Sequence, residues 1–145
     1  MAILQMRDRT DLTLREMMAH LNVIDASIGS VARRLESHGP GAALEVLDRL
    51  DVLACSAARL RIREVSGVTH ALEALILTSQ AKKISDVHEV DASLRHGVDV
   101  LMLLTHDARR RLEGYPAADL SGPVDALFER IQRLLTRGAE FGSAA

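Results

Sequence analysis

The chain is nearly without aromatic residues: no Trp, one Tyr and two Phe in 145 positions. That removes the stacking platform used to bind single-stranded nucleic acids. It also leaves an interior to be built from Leu, Val, Ile, Ala and Met. A single cysteine, Cys55, excludes an internal disulfide and a Cys-rich zinc site. No apolar run approaches the roughly 18–20 residues of a membrane helix. Residues 1–7 lack the apolar stretch of a signal peptide. A cytoplasmic protein is therefore expected, with no membrane contact. The net charge of −2 argues against nucleic-acid binding through phosphate contacts. The basic runs Arg33-Arg34, Lys82-Lys83 and Arg109-Arg110-Arg111 are short, and read as solvated faces or as charge at helix carboxyl ends.

What the chain has is apolar periodicity. Hydrophobic residues make up 48% and charged residues 26%, which suits one ordinary globular domain. Residues 1–10 show no period and are expected to be a lead-in. Thr13 and Glu16 have capping-box spacing. Leu14, Met17, Leu21, Ile24, Ile28, Val31 and Leu35 then recur at steps of three and four, as in a bundle seam. A loop follows at His38-Gly39-Pro40-Gly41.

A second helix is expected over 42–60, with Val46, Leu47, Leu50, Leu53, Ala54, Ala57 and Leu60 on its apolar face. Asp51 falls at the edge of that face, with Asp48, Cys55 and Arg59 on the polar side. A third is expected over 63–80, where His70 and Glu73 lie one helical step apart. A fourth opens at Ser85 or Asp86, with Glu89 as its third-position partner, and stops at Gly114-Tyr115-Pro116. A fifth starts near Pro123 and runs to Gly138. Residues 139–145 read as a flexible tail. No segment alternates with period two. The expectation is an all-α chain: one domain over 11–138, an antiparallel up-down four-helix bundle with an additional fifth helix at its carboxyl end.

Three motifs carry a family resemblance. Asp51-Val52-Leu53-Ala54-Cys55-Ser56-Ala57, then His70-Ala71-Leu72-Glu73 nineteen positions after Asp51, then Gly97-Val98-Asp99-Val100-Leu101 resemble the histidine phosphotransfer (Hpt) family. The closest likeness is to the amino-terminal domain of CheA-type chemotaxis kinases, over roughly residues 10–113. In that family the second helix carries His-x-Leu/Ile-Lys-Gly-Ser/Gly-Ala, and the third carries His-x-x-Glu. Leu53, Ser56 and Ala57 match the first pattern. Asp51 stands where the resemblance puts the phosphoacceptor histidine, Ala54 where it puts lysine and Cys55 where it puts glycine. Asp51 has no imidazole nitrogen to take a phosphoryl group.

The resemblance thus implies a pseudo-phosphotransfer domain of a chemosensory or two-component pathway. Asp51 would be held beside the supporting pair His70 and Glu73, with Ala54, Cys55, Ala58 and Arg59 as the contact surface. The implied partner is a response-regulator receiver domain or a histidine kinase. Two other readings stay open. One is an adaptor scaffold, dimerising through Leu14, Leu21, Ile28 and Leu35 of the first helix. The other is a phosphotransferase with an unorthodox acceptor.

No cofactor and no catalytic cluster is expected, so the chain reads as a non-enzyme. His96 with Asp99, and His88 with Asp91, share helix faces but make no His-Glu-x-x-His or Cys/His set for a metal. His20 and His106 lack the relay context. Cys55 has a basic neighbour in Arg59, which alone does not make a thiol reactive.

Overall fold

The computed structural model describes residues 2–37, 43–81 and 86–143, with side chains for 5–28, 43–81 and 86–137. Within them the chain is all-helical, with five helices and no strand. These are α1 (Ala2–Ser37), α2 (Leu44–Arg59), α3 (Arg63–Gln80), α4 (Val87–Leu112) and α5 (Ser121–Ser143).

The helix ends follow from local chemistry. Asp86 caps α4, its Oδ1 accepting the Glu89 N–H at 3.0 Å. Ser85 lies outside the described residues. Gly114, at φ +96°, ends α4 in a Schellman motif: Tyr115 N–H reaches the Arg110 carbonyl and Gly114 N–H the Arg111 carbonyl, both at 3.1 Å. Arg109, Arg110 and Arg111 do form the last turn of α4. The Arg110 guanidinium also sits 4.5 Å above the Tyr115 ring. The α2–α3 turn repeats the motif without glycine. Arg61 takes φ +60°, while Ile62 N–H reaches Ala57 O at 2.9 Å and Arg61 N–H reaches Ala58 O at 3.2 Å. Ile62 is then buried against the core, as the apolar contact of that motif requires.

Two expected ends move. α1 begins at Ala2, not near residue 11, so the lead-in over 1–10 is helical from Ala2. Thr13 is consequently no cap; its hydroxyl donates to the Arg9 carbonyl one turn back, at 2.9 Å. Residues 5–9 are exposed, so nothing imposed an apolar period on them, yet Ala, Leu, Gln, Met and Arg are all good helix formers. At the other end, α5 passes through Gly138 to Ser143, where a flexible tail was expected.

α1 packs on α4 and α2, α3 on α2 and α4, and α5 on α3 and α4. Asp11 meets Arg109 at one end, at 3.5 Å, and Ile24 and Ile28 meet Leu94 and Val98 at the other. Leu14, Met17, Leu21, Ile24 and Ile28 are all buried in this core. Leu14, Leu21 and Ile28 therefore cannot serve as a dimer seam: α4 and α2 of the same chain already cover them. Val31 and Leu35 lie outside the described side chains.

Gly97 lets α3 and α4 approach. A methyl placed there would overlap Leu72 Cδ2 and stand 2.8 Å from Cδ1 and 3.0 Å from Cγ. Leu72 is itself buried, so its side chain can yield only by repacking among core neighbours. Alanine improves helix propensity by about 1 kcal/mol, but overpacking costs about 1–3 kcal/mol. Gly97→Ala is thus expected to lower the urea midpoint. Gly97→Ala with Leu72→Val should recover part of the loss. An unchanged midpoint in the single variant would show that the contact is not tight.

Candidate functional site

The residues singled out on α2 and α3 come together on one flank, in an arrangement that spacing alone did not suggest. Asp51 is exposed on α2. Glu73 projects from α3 into the same seam, its side chain 19% exposed. His70, one step earlier on α3 and 69% exposed, brings Nδ1 to 3.7 Å from Glu73 Oε2. No salt bridge joins Asp51 to His70; Glu73 stands between them and interacts with both. Asp51 and His70 thus each meet Glu73 rather than one another. The physical reason is periodicity: on α3, Glu73 lies closer than His70 to the face that packs on α2.

Glu73 carries the unfavourable charge. Its Oε1 is buried and receives no hydrogen bond. Asp51 offers it only another carboxylate, so a hydrogen bond between them needs a proton on one of the two. Burial pushes the Glu73 carboxyl above its ordinary 4.5, and Asp51 adds to the rise, while His70 acts against it.

Around this line, Ala54 is half-buried and Cys55, Ala58 and Arg59 are exposed, as a contact surface needs. Cys55 is a free thiol. Arg59 leans back onto its own helix, Nη2 lying 3.4 Å from the Ser56 hydroxyl. Two residues missed by the sequence reading enlarge the flank. Leu44, 59% exposed, is two turns before Asp51 on α2, and Leu77, 54% exposed, is one turn after Glu73 on α3. Their signal was available: both leucines fall off the apolar stripes of their helices.

The remaining histidines form no site among the described residues. His20 Nδ1 lies 2.9 Å from Arg49 Nη1, across α1 and α2, and His96 Nδ1 lies 3.4 Å from Arg130 Nη1. Asp91 pairs with Arg95 at 3.0 Å rather than with His88. No group of three metal-ligating side chains occurs among the described residues. His38 lies outside them. No helix there is long and apolar enough to cross a membrane.

No family model, curated protein or solved structure matches the chain.

The raised Glu73 pKa has a definite sign. The folded chain keeps this proton over a range where the unfolded chain has lost it, so stability falls as pH rises from about 4.5 through the folded value. Glu73→Gln removes that loss. The variant should match the parent near pH 4 and exceed it in thermal midpoint at pH 7. Parallel midpoint-versus-pH curves for the two would contradict the buried-carboxylate reading.

Proposed function

We propose that the chain is an Hpt-like domain that has lost phosphotransfer and acts by protein–protein contact. In this reading α1–α4 form an antiparallel up-down four-helix bundle, α5 is the appended fifth helix, and the domain works in the cytoplasm. Its partner is a receiver domain or a histidine kinase of a two-component or chemosensory pathway. One observation carries the reading. The α2–α3 flank brings Asp51 into line with Glu73 and His70, the positions where the resemblance puts a relay histidine and its supporting pair.

The chemistry of the flank favours docking over transfer. A carboxylate at position 51 offers about one negative charge, where a phosphohistidine would offer nearly two. The lysine that would compensate a phosphate is Ala54, and the glycine that would admit a close approach is Cys55. Exposed Leu44 and Leu77 add apolar area at one end of the flank, and small Ala54 and Ala58 lie toward the other, with the charged groups between them.

The test is a titration of the isotopically labelled chain with a receiver domain, beside incubation with an active CheA-type kinase and ATP. Shifts should cluster on residues 44–58 and 70–77, without acid-labile label on the chain. Asp51→Lys should weaken binding at least tenfold without lowering the thermal midpoint, since it removes the acid that opposes Glu73. Acid-labile label on this chain, or binding confined to another face, would overturn the proposal.

A further inference from the structure

A second polar feature lies away from the α2–α3 flank. Between the amino end of α4 and the carboxyl half of α5 is a cleft of about 410 Å3, lined chiefly by Asp86, Glu89, Arg130, Arg133 and Arg137. The three arginines recur at steps of four or less along α5, which puts them on one face of the helix.

Their situations differ. Arg130 is held by α4: Nε donates to Glu89 Oε1 at 2.6 Å, Nη2 donates to Oε2 at 3.3 Å, and Nη1 lies 3.4 Å from His96 Nδ1. It clamps α5 to α4 and neutralises Glu89. Asp86 is engaged as well, accepting the Glu89 N–H as a helix cap. Arg133 and Arg137 are exposed, and neither forms a salt bridge with a described residue. Arg137 also acts on the Glu89 carboxylate, so the cleft sets three guanidinium groups against the carboxylates of Asp86 and Glu89 and keeps a net positive charge.

We propose that Arg133 and Arg137, one turn apart, are the receiving pair of an oxyanion site for a phosphate-bearing small molecule. Guanidinium forks match phosphate oxygens in pairs, and two of them balance a dianion better than a single carboxylate. The volume falls within the roughly 300–1,000 Å3 of small-molecule sites. The lining is too polar for an apolar ligand. Arg130 contributes rigidity rather than a binding edge, because all three of its nitrogens are turned to Glu89 and His96. The site uses neither Asp51, Glu73 nor His70, so it stands or falls independently of the docking flank.

Inorganic pyrophosphate is a suitable probe, titrated into the labelled full chain at constant ionic strength. Saturable shifts are expected at residues 86–89 and 130–137. Arg133→Gln and Arg137→Gln should each weaken binding at least tenfold without moving the thermal midpoint. A linear, non-saturating response would overturn the site, as would variants that bind like the parent. So would a poly-glutamate peptide that binds the same residues more tightly than pyrophosphate, which would reassign the cleft to an acidic protein partner.

Discussion

An interior of aliphatic side chains fills space only if its helices come close, and the contact of Leu72 with the α4 backbone at Gly97 is where this is most severe. There a leucine occupies the volume a side chain on α4 would take. At the α3–α5 crossing the demand is milder: Phe128 lies against α3 at Gly67, where a Cβ would make an ordinary contact 3.4 Å from its ring. With two phenylalanines in the whole chain, large aromatic wedges are not available to fill wider gaps. Close-packed interiors tolerate little error in volume, so Gly97 sets how far apart α3 and α4 sit. α3 touches α2, α4 and α5, and its position determines where Glu73 and His70 stand.

The α2–α3 register depends in turn on Arg61. A non-glycine residue at φ +60° is costly, by about 1–2 kcal/mol. It is retained here within a turn whose two backbone hydrogen bonds and buried Ile62 reward the conformation. That turn folds α3 back along α2 and brings Glu73 opposite Asp51. Two acids are thus brought together by the geometry of a turn whose Arg61 lies ten residues from one and twelve from the other.

Much of the fold was legible because helix ends and stripes are local. Arg63–Gln80 was readable as a helix from Val65, Val68, Leu72, Leu75 and Ile76, and α4 from Asp86, Glu89 and Gly114. The start of α1 was not, because exposed residues 5–9 carry no period to detect. Thr13 and Glu16 imitated a cap, a motif too short to separate a helix start from a helix middle. The candidate site was half legible. Asp51, His70 and Glu73 could be named from the family resemblance, but not the order in which they meet. That order is a property of packing: Glu73 is turned into the α2–α3 seam while His70 remains at its rim. The arginine cleft was invisible, since it joins Glu89 to Arg130 across forty-one positions.

The packing of α1 on α4 has a consequence for synthesis of the chain. The α1 stripe from Leu14 to Ile28 finds α2 soon after it is made, but its other flank waits for α4. Ala108, the last buried residue of α4, is made long after Ile28. At about 5–20 residues per second, this interval lasts roughly 4–16 s. During it, aliphatic residues that end up fully interior face the solvent or whatever binds nascent chains. Of the five helices, α1 is thus the one left partly uncovered longest on the ribosome.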